Sequence, residues 1–236
     1  MNRAIGKDEY GRDITERLVR KQETNLGDFT ADALYYLFDA RGLDIDGAIV
    51  TGKGINENLG IGNVYTASAV RVSPYQHFAC LQQVTGQQLL DALEWGARRV
   101  DIGESAAFVQ VSGITYEIYT TVSPNVKAED GNWVSALRST DVANIYENYR
   151  VRNVTIGGEA LDLNATYNIA GYDNIMPCAE ALNVWLTAIP TQTKGCSTAR
   201  SAPSAAMQYS RHTNGQQIIS ALFAVLKSPL HRNTIM

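Results

Sequence analysis

The sequence has few of the residues on which metal centres and nucleophilic sites depend. Its 236 residues include only three histidines and three cysteines. His77, His212 and His231 have no Asp, Glu or Cys neighbours at ligand spacing, so the sequence predicts no metal site. No serine is accompanied by a His and an Asp in a way that indicates a catalytic triad. A free-standing enzyme is therefore the least favoured class of function.

A basic excess and long apolar runs are also lacking. The chain has 20 Lys and Arg against 24 Asp and Glu, a formal net charge of -4, whereas a protein that binds nucleic-acid backbones needs a basic stripe. No apolar run approaches the roughly 20 residues of a membrane span, and polar residues 1–10 lack the apolar core of a signal peptide. The sequence therefore predicts no nucleic-acid partner and no membrane span. The protein is expected to be cytoplasmic, or to be a piece of a longer exported protein.

The sequence predicts a buried position for one of the three cysteines and leaves the redox state of the other two open. Cys80 lies inside an apolar run, which predicts that it packs as a small buried hydrophobe. Cys178 and Cys196 lie in a segment rich in Gly, Ser and Thr. They form a disulfide if the protein is exported, or remain two free thiols, and the sequence favours neither alternative.

The hydrophobic fraction of 45% is large enough to bury a substantial core in one domain. Apolar spacing predicts a helix over 26–41 with Asn25 as its N-cap, and a buried strand over 48–50. Thr85 is predicted to cap a second helix. The other predicted elements are an extended run over 78–84, one or two strands over 107–121, and a strand pair over 151–156 and 161–170 with a tight turn at Gly157 and Gly158. A loop over 191–204 and a helix over 215–226 follow. Helices and strands do not alternate regularly, which indicates an α/β or α+β fold with a mixed β-sheet flanked by helices.

Four segments, in order, resemble the motifs of one family. Residues 23–28 and 31–33 are similar to "E-x-N-L-G-N" followed by "A-D-A", and residues 49–56 to a strand that ends in "N-G-G-G-I-R". Residues 72–75 with 84–89 are similar to "V-x-P-F" and then "T-G-x-x-L", and residues 108–116 to "F-L-Q-V-S-G" with a following Tyr. Their order over about two-thirds of the chain resembles the C-terminal domain of 5'-nucleotidases and UDP-sugar hydrolases.

The resemblance implies that residues 1–236 form a single recognition domain of a two-domain enzyme. The family's N-terminal metallophosphoesterase domain, which holds two divalent metal ions and a catalytic His/Asp pair, is expected upstream in the same protein. The C-terminal domain grips a nucleoside or sugar nucleotide, so this chain is expected to bind a nucleoside or nucleotide without turning it over alone. The resemblance also implies a periplasmic, cell-surface or extracellular location.

The family's site residues carry over to matching positions of this sequence. Phe108 matches the ring that stacks on the base, and a flat apolar ring recognises another with little entropic cost. The alternative is that Phe108 is a core aromatic residue at the start of a strand. Gln110, two residues along the strand, is expected either to reach the base or ribose or to make a cross-strand hydrogen bond. Gly52, Lys53 and Gly54 match the glycine loop on the phosphate side of the substrate, where glycines permit close approach. The alternative is a structural turn with a solvated Lys53.

Two positions depart from the family pattern. Asn56 stands where the family has an arginine, and an amide offers phosphate neither charge nor a bidentate fork. The family's "G-G-D-G-[FY]" string is missing, and Tyr172 and Asp173 are the candidates for its roles. These departures favour an alternative hypothesis, a binding or structural module that kept the fold and lost the nucleotide site. His77, where the family often has Asn, is interpreted as a structural residue.

Overall fold

The computed structural model describes residues 2–75, 77, 79–129, 132–135, 149–173 and 175. The helices in this part of the chain are α1 (Asn25–Asp39), α2 (Thr66–Val72) and α3 (Gly86–Ala97), with a 3-10 turn at Leu18–Arg20 before α1. The strands are β1 (Asn2–Lys7), β2 (Asp13–Arg17), β3 (Gly47–Thr51), β4 (Ala79–Thr85), β5 (Val109–Ser112), β6 (Ile114–Ile118), β7 (Val126–Glu129), β8 (Asn132–Ser135), β9 (Val151–Ile156), β10 (Glu159–Ala160) and β11 (Thr166–Tyr172).

A four-stranded mixed sheet lies at the centre of the fold, in the order β4-β11-β3-β5. Strand β11 runs parallel to β3 and antiparallel to β4, and β5 runs antiparallel to β3. All five residues of β3 are buried, because Ala48 and Val50 face the core beneath α1 while Ile49 faces the core beneath α3. A strand covered on both faces reads as a continuous apolar run. The predicted mixed sheet flanked by helices is confirmed.

Three smaller pairings complete the sheet structure. Strands β10, β9 and β6 form an antiparallel sheet that packs against α3, while β1 pairs with β2 and β7 pairs with β8. The predicted strand pair with a turn at Gly157 and Gly158 is only partly correct, since β9 pairs with the two-residue β10 and β11 belongs to the central sheet. Between these strands the backbone of residues 163 and 165 accepts hydrogen bonds from the first two N–H groups of α3. Those bonds draw the chain away from β9.

The two predicted helices that fall within the described residues begin close to their expected positions. The hydroxyl of Thr24 accepts a hydrogen bond from Gly27 N at 3.1 Å, so the N-cap of α1 is Thr24 and the prediction of Asn25 was one residue late. Thr85 caps α3 as predicted, and with Gln88 it forms a reciprocal capping box. Cys80 is buried on β4, as predicted.

The predicted loop over 191–204, the predicted helix over 215–226, Cys178 and Cys196 lie outside the described residues. In the part of the chain that is described, no helix combines the length and the apolar character needed to cross a membrane.

A buried carboxylate on α3 connects this helix to the antiparallel sheet of β10, β9 and β6. Glu94 is completely buried, and its carboxylate accepts hydrogen bonds from the backbone N–H groups of Asn125, Arg150 and Val151 at 2.7 to 3.1 Å. Arg150, itself 1% exposed, donates through both terminal nitrogens to Asp101. These bonds hold the start of β9 against α3, because a buried ion costs much free energy unless its hydrogen bonds are made.

Replacing Glu94 by Gln is expected to lower the free energy of unfolding by about 2 to 3 kcal/mol. The amide keeps the shape of the carboxylate, but its NH₂ group must face at least one of the three backbone donors. Denaturant unfolding measures the change. Glu159→Gln, an exposed position on β10, is the control and is expected to stay within about 0.5 kcal/mol of the unmodified chain. Equal stabilities of the two variants would contradict this account of Glu94.

Candidate functional site

Four strand ends meet at one edge of the central sheet, which we call the carboxyl edge. The parallel strands β3 and β11 end there at Thr51 and Tyr172. Their antiparallel neighbours begin there, since Val109 of β5 pairs with Thr51 and Ala79 of β4 pairs with Tyr172. In open sheets with parallel strands, ligands bind outside the carboxyl ends of those strands.

The sequence-predicted site residues converge on this edge. The loop of residues 52–56 leaves β3, Phe108 immediately precedes β5, and Asp173 follows β11. Gly52 N donates to Phe108 O at 2.7 Å, and Lys53 N donates to Ala106 O at 3.1 Å. Only Gln110 points its polar group elsewhere. The residues that the fold brings to the edge are Gly52, Lys53, Gly54, Asn56, Phe108, Tyr172 and Asp173.

Phe108 and Tyr172 reach the carboxyl edge as buried rings. Each is 2% exposed, so neither presents an open face to a ligand in this conformation. Burial raises the pKa of the Tyr172 hydroxyl to about 12, and the nearby Ser73 hydroxyl opposes that rise. Stacking of Phe108 on a base therefore stays a prediction, one that requires the ring to become accessible.

The amide of Gln110 bonds to the chain itself. Its Oε1 accepts a hydrogen bond from Thr24 N at 3.1 Å, while Nε2 donates to Val19 O at 3.1 Å and to Gln22 O at 2.8 Å. The side chain is 1% exposed. Of the two predicted roles, a hydrogen bond within the fold is the one observed, and it joins β5 to the segment before α1 instead of crossing to a neighbouring strand.

The loop of residues 52–56 packs tightly at its first glycine. A Cβ atom on Gly52 would lie 2.5 Å from Val19 O and 3.0 Å from Arg20 Cα, which no larger residue tolerates without a backbone shift. The side chains of Lys53 and Asn56 are exposed. The glycine therefore lets the segment before α1 approach the loop closely, and places Arg20 against it.

Two arginines at the loop were not predicted as site residues. Arg17, at the end of β2, donates through Nη2 to the backbone oxygens of Ile55 and of Asn56, the latter at 2.7 Å. Burial, and secondarily the charge of Arg20, lowers the pKa of Arg17. Arg20 Nη1 lies 3.5 Å from Glu104 Oε2. The available signal was two arginines three residues apart, immediately before the first family motif.

His77 also belongs to the carboxyl edge. Its Nδ1 lies 3.0 Å from Asp173 Oδ1, and the two side chains are 28% and 27% exposed. The imidazole centroid lies 5.6 Å from the ring of Tyr75 and 6.1 Å from the ring of Tyr172. The interpretation of His77 as a purely structural residue did not foresee this contact, which joins residues 96 positions apart.

A groove of about 550 Å³ runs beside β5 and β6, and Phe108 and Gln110 contribute to its lining. Glu23, Asp28 and Asp32 also line it, together with one cation, Lys21. The net negative charge of this lining repels a phosphate, whereas Arg17 and Arg20 attract one. The cationic side of the carboxyl edge is therefore the better candidate for an anionic ligand.

No group of three or more His, Cys, Asp or Glu side chains among the described residues is arranged to hold a metal ion. The two metal ions that the family resemblance implies are expected in the upstream metallophosphoesterase domain, which stays a prediction.

The chain matches a family model, curated proteins and a solved structure. The family model for the 5'-nucleotidase C-terminal domain matches residues 4–182. The chain is 30% identical over 177 residues to the trifunctional nucleotide phosphoesterase protein YfkN of Bacillus subtilis, covering 72% of this chain and 12% of that protein. It is 26% identical over 132 residues to the cell wall protein Lmo0130 of Listeria monocytogenes, covering 51% of this chain and 16% of that protein.

The structure of a 5'-nucleotidase precursor from Thermus thermophilus superposes with a TM-score of 0.60 at 19% identity, over 88% of this chain and 34% of that one. At that identity the superposition shows the shared fold alone. The chain spans 12% to 16% of the two curated relatives described and about a third of the solved structure.

Placing a methyl group on Gly27 tests the structural role of Gln110. The added Cβ would lie 1.9 Å from Gln110 Oε1, so the amide must leave its three partners, and Gly27→Ala is expected to cost about 2 to 4 kcal/mol of unfolding free energy. The same change in a Gln110→Ala background is expected to cost much less, which a double-mutant cycle measures. Gly60→Ala, where nothing lies within 4 Å of the new Cβ, is the control. Additive effects of the two substitutions would refute the proposed contact.

Proposed function

Because the chain belongs to the 5'-nucleotidase C-terminal domain family, we propose that it is the substrate-recognition domain of a nucleotide phosphohydrolase. In this proposal residues 1–236 bind the nucleoside part of a nucleotide and orient its phosphate outward. A separate metallophosphoesterase domain of the same protein, with two divalent metal ions, supplies the hydrolytic chemistry. The recognition domain contributes binding and orientation only.

The observation that carries the proposal is the convergence of cationic side chains and the glycine loop on the carboxyl edge. Guanidinium groups bind phosphate through parallel hydrogen bonds, and each carries five N–H donors. Arg17 can therefore brace the backbone of residues 55 and 56 and still donate to an anion. Arg20 lies against Gly52, and Lys53 is exposed on the same loop.

Arg17 also affects how Asn56, which stands where the family has an arginine, is interpreted. The loop carries Asn56 in place of an arginine, yet the Arg17 guanidinium lies 2.7 Å from the Asn56 backbone oxygen. A positive charge is thus present beside the end of the loop, although it comes from β2. In the proposed site this charge serves the role that the amide of Asn56 cannot.

The proposed location is the cell surface, the periplasm or the extracellular space. A cell wall protein and a nucleotide phosphoesterase are among the relatives of this chain, and a phosphohydrolase at the surface would act on nucleotides outside the cell. The proposed partners are a nucleoside or nucleotide and the metallophosphoesterase domain.

One alternative function has an observation in its favour. Phe108 is buried and the Gln110 amide bonds to the chain, so two predicted nucleoside contacts are occupied within the fold. A binding or structural module that retained the architecture and lost the nucleotide would have these properties. Binding measurements on the unmodified chain separate the two functions.

Nucleotides are expected to raise the melting temperature of the unmodified chain at millimolar concentration, because a ligand of the native state stabilises it by mass action. Arg17→Gln and Arg20→Gln are each expected to weaken nucleoside monophosphate binding about tenfold, through loss of a charged hydrogen bond. Nucleoside binding should change little. Arg12→Gln is the control, since Arg12 is an exposed arginine paired with Asp8 away from the loop.

Titration calorimetry on the three variants gives the affinities. If no nucleoside, nucleotide or sugar nucleotide binds or shifts the melting temperature, the recognition function is wrong and the alternative module is favoured.

A further inference from the structure

We infer that Tyr75 and His77, with His77 held in place by Asp173, form the surface that stacks on the base of the bound nucleotide. The inference rests on the proposed function and assigns a part of the same site to Tyr75, the last residue of the third family motif, and to His77, which the sequence indicated only as a structural residue. It differs from the expectation for Phe108, which places the stacking ring at the start of β5.

The first argument is accessibility. A stacking partner must offer the face of its ring, and Tyr75 is 42% exposed whereas Phe108 and Tyr172 are each 2% exposed. The His77 side chain is 28% exposed. Among the rings that the described residues bring to the carboxyl edge, Tyr75 and His77 are thus the ones a ligand can reach without a rearrangement.

The second argument is pre-organisation. Tyr75, His77 and Tyr172 form a continuous row with centroid separations of 5.6 and 6.1 Å and interplanar angles of 38° and 33°. Tyr172 anchors this row, since it belongs to the core beneath α1. The hydrogen bond to Asp173 fixes the imidazole from the side. A ring that is already ordered loses less entropy when a ligand binds, which favours affinity.

The third argument is position relative to the cations. Asn56 N donates to Val72 O at 2.7 Å, three residues before Tyr75, and Arg17 donates to the backbone oxygen of the same Asn56. One molecule with a planar ring and a phosphate can therefore reach both the ring row and the arginines. The chemistry of this pairing identifies the ligand class as nucleoside monophosphates or their esters. Asp173 is then a positioning residue for His77.

Two ligands separate ring recognition from phosphate recognition in the 236-residue chain. Adenosine 5'-monophosphate carries a base and a phosphate, and ribose 5-phosphate carries only the sugar and the phosphate. Tyr75→Ala and His77→Ala are each expected to weaken binding of adenosine 5'-monophosphate about tenfold, while leaving ribose 5-phosphate unchanged. Tyr75→Phe, which retains the ring, is expected to bind like the unmodified chain.

Matched variants test the other parts of the inference. Tyr65→Ala removes a 67% exposed tyrosine at the start of α2 and is expected to change neither affinity. Asp173→Ala is expected to weaken adenosine 5'-monophosphate binding, and Asp173→Asn to restore it, because an amide oxygen still accepts from Nδ1. Circular dichroism and the melting temperature establish that each variant is folded.

The outcomes distinguish this inference from the function on which it rests. If the unmodified chain binds adenosine 5'-monophosphate, Tyr75→Ala binds it equally well and the mild variant Phe108→Leu binds it weakly, the stacking ring is Phe108. The inference then falls while the proposed function stands. If the unmodified chain binds neither ligand, both fall. A loss of ribose 5-phosphate binding in Tyr75→Ala would also overturn the assignment of a base-specific role.

Discussion

The parallel pairing of β11 with β3 is the constraint on which the site depends. It joins segments 122 positions apart, and the hydrogen bonds between residues 46 and 168 at its start fix the register. Ile169 then lies beside Gly47 and faces the α3 side, while Tyr172 enters the core beneath α1. A slip of one residue would exchange the two faces of β11 and bury the wrong side chains. The same register brings Asp173 to the carboxyl edge.

Packing explains much of the family resemblance. Gln110, in the fourth motif, holds the segment before α1, and Gly27, in the first motif, leaves the room that its amide occupies. Gly52, in the second motif, allows that segment to approach the loop. Gln110, Gly27 and Gly52 are thus all needed for one set of contacts between β5, the loop and the start of α1. A sequence match built on them is strong evidence for the architecture and weaker evidence for the ligand.

The features that the sequence predicted correctly are those that local chemistry decides. The capping box at Thr85 and the buried strand around Ile49 depend on residues within a few positions of each other. The family, predicted from motif order, and the mixed sheet, predicted from the irregular order of helices and strands, are confirmed by the family model and by the shared fold. The assignment of Asn25 as N-cap failed by one residue, because Thr24 precedes it and its hydroxyl reaches Gly27 N.

The features that the sequence did not predict depend on tertiary contacts between residues far apart in the chain. The approach of His77 to Asp173 depends on the pairing of β4 with β11, and the approach of Arg17 to Asn56 depends on the position of β2 beside the loop. Neither pair has a spacing that a motif would record. The short length of β10 has a similar cause. The first two backbone N–H groups of α3 donate to residues 163 and 165, and this segment would otherwise have extended the hairpin of β9 and β10.

The two departures from the family pattern have a common physical consequence in the proposed site. A guanidinium group works by the position of its charge and donors, and a ring works by its exposed face, so neither function requires a particular place in the chain. At the carboxyl edge the charge comes from β2 instead of the loop, and the accessible rings come from the segment before β4 instead of the start of β5. Because the sheet register holds these segments at one edge, the departures at Asn56 and after β11 would change which residues contact a ligand without displacing the proposed site. A recognition domain built this way can exchange individual contacts while its core, and hence its family membership, stays the same.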